Sequence, residues 1–235
     1  MNVALHIEGL SARLGTHTVL DGLDLSLEAG SRTGLIGANG AGKTTLMDCI
    51  GGQVRPQTGR LTFDGAPITD WSSHRRARAG LARTFQRLGL LPELSARDNV
   101  QLALRNGPRA LRQRRAEEAL AGCGYDKSAQ ALVQQLSLLD RKRVALARAV
   151  VAEPQLLLLD EITAGLTTDE SQDLLRALDS TRQLTVLWVE HNLQLLEHGT
   201  ERTLLLNAGR IEAELPSEGL AEQPLVRHLY LDGNT

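Results

Sequence analysis

The stretch Gly37-Ala38-Asn39-Gly40-Ala41-Gly42-Lys43-Thr44 limits what this chain can fold into more than any other. It fits G-x-x-x-x-G-K-[ST] at every fixed position. Before it lies Thr33-Gly34-Leu35-Ile36, a short apolar run that predicts a buried strand; after it lies Thr45-Leu46-Met47-Asp48-Cys49-Ile50, which predicts a helix. A strand, a glycine-rich loop and a helix in that order form a phosphate cradle. Glycines let successive main-chain N–H groups turn inward toward an anion, and the helix start adds partial positive charge. The candidate phosphate-binding positions are therefore Gly37, Asn39, Gly40, Ala41, Gly42, Lys43, Thr44 and Thr45. Lys43 is expected to reach the outer phosphates of a nucleotide as a point charge, and the Thr44 hydroxyl to hold Mg²⁺.

The rest of the chain predicts an α/β core. Leu156-Leu157-Leu158-Leu159 fits a strand buried on both faces of a parallel sheet, as does Leu184 to Val189. Helices are expected at 140–151, 169–178, just after His191 through Leu195, and from Pro224 to Tyr230. Residues 3–8 and 23–27 alternate apolar and polar, so they predict half-buried strands with a turn at Thr16-His17-Thr18. Gly59 to Gly65 predicts another short strand. Thr203 to Leu206 and Arg210 to Ala213 predict a hairpin about Ala208-Gly209. Between about 87 and 135 no strand signal occurs; Ser95 is a candidate N-cap, and 110–120 is a highly charged helix. Its arginines read as a solvated face, with a docking patch as the alternative.

Composition excludes some partners. With 235 residues, a formal charge of −2 and 42% hydrophobic residues, the chain suggests a globular domain with no bias toward nucleic acid or membrane surface. No apolar run approaches the roughly 20 residues of a membrane span. Two cysteines, Cys49 and Cys123, are not spaced as a metal pair; Cys49 reads as a small buried apolar residue, and a cytoplasmic location fits.

Asp160 and Glu161 close the leucine strand at its C-terminal end, where ligands collect in open α/β sheets. Asp160 is a candidate Mg²⁺ ligand, directly or through water, and Glu161 a candidate for polarising an attacking water. Two further polar residues follow strands. Gln86 could bridge metal or water, and His191 could hydrogen-bond a phosphate or that water; alone, each would more often be a solvent-facing or structural side chain.

Phosphate loop, Gln86, Leu136-Ser137, Leu156 to Glu161 and His191, in that order over nearly the whole chain, resemble the ATPase subunits of ABC transporters. The resemblance implies a P-loop NTPase with a RecA-like parallel-sheet core, an antiparallel β subdomain and a helical subdomain. It places the core in residues 1–86 and 152–235 and the helical part in 87–151. It also implies ATP and Mg²⁺ as ligands and a head-to-tail pair of ATPase subunits. Transmembrane permease subunits would hold it at the inner face of the cell membrane, a solute-binding protein would act indirectly, and nucleic acid would have no part. Ala79 to Gln86, Ala164-Gly165-Leu166, Val189 to Asn192 and Val226 to Leu231 look like the branch that imports branched-chain and other hydrophobic amino acids or related amides. Lipopolysaccharide-exporting ATPases share much of this pattern.

The resemblance breaks at three places. The usual Leu-Ser-Gly-Gly-Gln signature reads Leu136-Ser137-Leu138-Leu139-Asp140, which leaves the Ser137 hydroxyl for a partner's phosphate but predicts slower closure without glycine. Leu14 stands where an aromatic often stacks on adenine, which predicts loose base selectivity. The loop Ile162 to Thr167 lacks the usual proline and the Asp or Asn at Thr167, which bears on communication between paired subunits. The altered signature keeps a second reading open, a regulatory ATP-binding half of a heterodimer. A mechanical ATPase acting on DNA or ribosomes lacks its coiled coil or second ATPase domain here.

Overall fold

The computed structural model describes residues 3–84, 88–178 and 184–228. Two sheets carry the fold. The first is antiparallel, in the order β2-β1-β4-β5, from β1 (Val3–Leu14), β2 (His17–Glu28), β4 (Thr58–Phe63) and β5 (Ala66–Pro67). The second is built on β3 (Arg32–Ile36), β6 (Leu81–Arg83), β7 (Leu156–Asp160), β8 (Thr185–Val189), β9 (Arg202–Asn207) and β10 (Arg210–Pro216). Its order is β10-β9-β3-β8-β7-β6, parallel throughout except for the β9–β10 hairpin.

The helices are α1 (Lys43–Gly51), α2 (Ser73–Arg78), α3 (Ala96–Gln101), α4 (Arg109–Gly122), α5 (Leu138–Val150), α6 (Thr168–Leu178), α7 (Leu193–Gly199) and the short α8 (Pro224–Val226). Period-2 geometry sends alternate side chains to opposite faces of the parallel sheet. Leu156 and Leu158 join Leu35, Leu187, Leu204 and Leu206 in a core shared with α1 and the antiparallel sheet. Leu157 and Leu159 join Val186, Trp188 and Leu205 in a second core with α5, α6 and α7. That second core runs on without a break through Val100 of α3 and Ala116 and Leu120 of α4. Four leucines in a row are thus what a strand buried on both faces requires.

Several expected boundaries move. β1 and β2 run for 12 residues each, beyond 3–8 and 23–27, because bulges repeatedly shift the register. Gly9 and Gly22, both at positive φ, lie in these irregular stretches and blur the alternation the sequence shows. The turn between them is Gly15-Thr16; His17 and Thr18 already pair with Leu14 and Arg13. α1 starts at Lys43, two residues early, because Gly42 at φ 110° makes the bend. α7 continues past Leu195 to Gly199, and α8 covers only Pro224–Val226; Tyr230 and Leu231 lie outside the described residues. The β9–β10 hairpin turns at Ala208-Gly209 as expected, both residues at positive φ as a two-residue I′ turn demands.

Ser95 is the N-cap of α3: its Oγ accepts the Asp98 N–H at 3.0 Å. Ser137 does the same for α5. Thr167 and Glu170 close a reciprocal capping box at α6, with the Thr167 N–H donating to Glu170 Oε2 at 2.9 Å and Thr167 Oγ1 accepting the Glu170 N–H at 3.3 Å. Among the described residues no helix is long and apolar enough to cross a membrane.

Candidate functional site

β3 ends at Ile36 and the chain turns through the glycine-rich loop into α1. Gly37 is required by space: a Cβ there would lie 2.3 Å from the Leu206 carbonyl oxygen on β9. Gly42 is required by both φ and space, since a Cβ would meet Leu20 Cδ2 at 2.9 Å. β2 therefore packs against the loop, and Leu14, the last residue of β1 before the turn into β2, is exposed.

Lys43 lies buried and curls back over the loop, its Nζ donating to the Gly37 carbonyl at 2.6 Å and the Ala38 carbonyl at 3.1 Å. Burial pulls the ammonium below its ordinary pKa, and the charges of Glu161 and Asp160 push it back up. The lysine, the loop and the two carboxylates thus form one cluster at the C-terminal edge of the parallel sheet. Asn39 and Thr44 are exposed there, whereas Thr45 points into the core. The Ala41 N–H donates to the Ala38 carbonyl at 3.1 Å inside the loop.

Asp160 ends β7, nearly buried, and its Oδ2 accepts from Arg83 at 2.9 Å. Glu161 follows at φ 48°, its N–H donating to the Val189 carbonyl at 2.9 Å. That bond ties the end of β7 to the end of β8 and aims the Glu161 side chain at His191. The two meet, His191 Nε2 to Glu161 Oε1, at 2.8 Å. The His191 N–H donates to Glu190 Oε1 at 2.9 Å, and Thr163 Oγ1 donates to Glu190 Oε2 at 2.6 Å. Buried Glu190 thus fixes both the histidine and the loop after Glu161.

The structure brings together Lys43, Asp160, Glu161 and His191 of the sequence-predicted set. Gln86 lies outside the described residues. Ser137 sits apart, at the start of α5. Its hydroxyl donates to Asp140 Oδ2 at 2.9 Å and accepts the Asp140 N–H at 3.1 Å, so in the single chain it caps its own helix. Leu139 is not a surface stand-in for glycine but part of the second core.

Four residues went unread in the sequence. Arg83 bridges Asp48 and Asp160, Glu190 anchors His191, and Lys142 is a buried cation held below its usual pKa by desolvation, with Glu190 and Glu161 opposing that shift. Glu190 had one available signal, its position beside His191 at a strand end. The other three need the strand order to be known. Among the described residues no group of three or more His, Cys, Asp or Glu is arranged to hold a metal. An exposed Thr44 hydroxyl and the Asp160 carboxylate are hard oxygen donors, which fits Mg²⁺, an ion that takes few protein ligands beside substrate phosphates.

The ABC transporter family model matches residues 20–164, from the strand under the loop to just past Glu161. The chain belongs to the ABC transporter family. Its similarity to the putative ribose/galactose/methyl galactoside import ATP-binding protein 1 of Burkholderia ambifaria is 36% identity, covering 88% of this chain and 41% of that protein. With the high-affinity branched-chain amino acid transport ATP-binding protein BraF of Pseudomonas aeruginosa, identity is 30% and coverage 97% of each. The chain spans about half the length of several sugar- and methionine-import relatives it matches. Among solved structures it resembles the dimeric, post-hydrolysis ATP-binding cassette MJ0796 bound to ADP and Pi. The TM-score is 0.81 at 25% identity, over 91% of this chain and 98% of that one. The fold is that of an ABC ATPase cassette, a P-loop NTPase, as the order of motifs implied.

Proposed function

We propose that this ABC cassette binds ATP at Gly37–Thr45, hydrolyses it, and couples the hydrolysis to transport through membrane permease subunits. The Glu161–His191 contact of 2.8 Å, beside the Lys43 ammonium, is the observation that carries this reading. Lys43 releases the loop carbonyls and pairs with the outer phosphates, a charge-assisted exchange in a nearly buried setting. Gly37, Asn39, Gly40, Ala41 and Gly42 form the loop whose main-chain amides turn to the phosphates, Ala41 holding the loop's own bend, and Thr45 closes the loop from inside. Glu161 accepts the proton of the attacking water. His191, held by Glu190, orients Glu161 through Nε2 and hydrogen-bonds the γ-phosphate or the attacking water once nucleotide is bound. Thr44, Asp160 and Gln86 would hold Mg²⁺, which supplies positive charge to the β- and γ-phosphates. Leu14 packs on the base.

The relatives' names include importers of amino acids and sugars, which supports import. The branch resemblance points to branched-chain amino acids or related amides as cargo; lipopolysaccharide export is the alternative. The partners are permease subunits, a second ATPase subunit and, indirectly, a solute-binding protein, which places the cassette at the cytoplasmic face of the membrane. The hydroxyl of Ser137, engaged by Asp140, favours a heterodimer in which this chain lends a weak signature segment to the other subunit's nucleotide.

Glu161→Gln is the test. Phosphate release by the purified chain should fall by about 10²-fold or more, with ATP affinity retained. Full turnover in this variant removes Glu161 from the reaction.

A further inference from the structure

The geometry points to Arg83 as a positioning residue that sets the gap between the two protein ligands of the magnesium site. The inference rests on the ATP-binding reading above. Arg83 ends β6, and its side chain is only 5% exposed. One terminal nitrogen donates to Asp48 Oδ1 at 2.6 Å and the other to Asp160 Oδ2 at 2.9 Å. The planar guanidinium therefore spans two carboxylates from two different elements, a fork that a flexible ammonium would not reproduce.

The two elements are the ones that matter. Asp48 lies four residues after Thr44 on α1, hence on the same helical face. Asp160 ends β7. Arg83 thus joins the face of α1 that bears the Thr44 hydroxyl to the strand end that bears the carboxylate. The neighbouring Thr84 reinforces the link: its N–H donates to the Leu158 carbonyl at 2.9 Å, and its Oγ1 accepts the Asp160 N–H at 3.3 Å. β6 and the residue that follows it consequently grip Asp160 by both main chain and side chain. With Oδ2 taken by Arg83, a metal held by Asp160 would meet Oδ1. A partner that orients a metal-binding carboxylate governs metal affinity although it never touches the ion.

A nearby cation alone would act differently. Pure charge repulsion by Arg83 predicts tighter magnesium binding once it is removed; the clamp predicts weaker binding. Calorimetry of ATP binding, in magnesium and in EDTA, decides between them in a Glu161→Gln parent, where ATP persists. The readout is the factor by which magnesium tightens ATP. Arg83→Gln should cut that factor by roughly tenfold while leaving affinity in EDTA nearly unchanged. Asp48→Ala, at a partly exposed side chain, should do the same, and Arg83→Lys should recover only part of it. The inference is overturned if both variants keep the parent's factor or raise it. If Arg83→Gln does not fold, Arg83→Lys decides: it keeps the charge and loses the fork, so a factor equal to the parent's overturns the clamp. A parent that binds no ATP in either condition defeats the reading of the loop instead.

Discussion

Individual side chains here are set by what surrounds them more than by their type. Cys49 and Cys123 are fully buried, and desolvation pushes their thiols up to about 11 and about 12 from an ordinary 9.0. A group whose pKa is raised on folding stabilises the native state fully below its unfolded value and loses that contribution as pH climbs to the folded value. The two thiols therefore favour the fold up to about pH 9 and lose that benefit progressively above it. Lys43 and Lys142, both lowered, act with the opposite sign below 10.5, so only a comparison isolates the thiols. Denaturant midpoints between pH 8.5 and 10.5, converted to free energy, should fall less steeply in the Cys49→Ala/Cys123→Ala double variant. The difference in slope is at most about 1.4 kcal/mol per pH unit for each thiol; equal slopes would contradict it. The burial of Cys49 was legible, because it falls within an apolar helix directly after the loop. The role of Arg83 was not, since it depends on partners distant in sequence and on a strand order that no local pattern encodes; of Glu190's role only its place beside His191 was legible, not its bond to Thr163.

Elements were legible where the pattern is strong and local. The strand–loop–helix unit, the leucine strand and the Ser95 cap all carry period or capping chemistry within a few residues. Boundaries failed at glycines such as Gly9 and Gly22, where a bulge shifts register and the alternation stops reporting the strand. The signature segment carries more than its string shows. Ser137-Leu138-Leu139-Asp140 reads as a substituted phosphate contact; in the fold Ser137 also caps α5 and Leu139 joins the second core. The end of α1 shows how a tertiary contact can hide in a charged run. Arg75, Arg76 and Arg78 look alike in sequence, yet Arg76 alone is 1% exposed. It donates to the Cys49 and Ile50 carbonyls at 2.5 and 2.8 Å, and to those of Thr69 and Trp71 at 3.0 and 3.1 Å. It thereby satisfies carbonyls at the last turn of the helix that the phosphate loop begins. Arg76→Met should lower stability by about 2–4 kcal/mol in urea unfolding. A loss under about 0.5 kcal/mol would mean that water replaces the guanidinium there.

At the scale of the molecule, two cores meet on opposite faces of one parallel sheet, and the catalytic candidates gather where its strands end. β3 delivers the loop, β7 delivers Asp160 and Glu161, and β8 delivers His191, side by side because the strand order is β3-β8-β7. The sequence order of these motifs made the fold class readable. Their spatial order, with His191 between loop and carboxylates, comes only from the sheet. If this edge is a triphosphate site, Lys43 exchanges the Gly37 and Ala38 carbonyls for phosphate there. Calorimetric titration of ATP with magnesium into the purified chain and its Lys43→Ala variant measures that exchange. Saturable binding by the parent and a loss of roughly 10- to 100-fold in affinity in the variant are expected; equal affinity in the two proteins would show that Lys43 does not bind the phosphates.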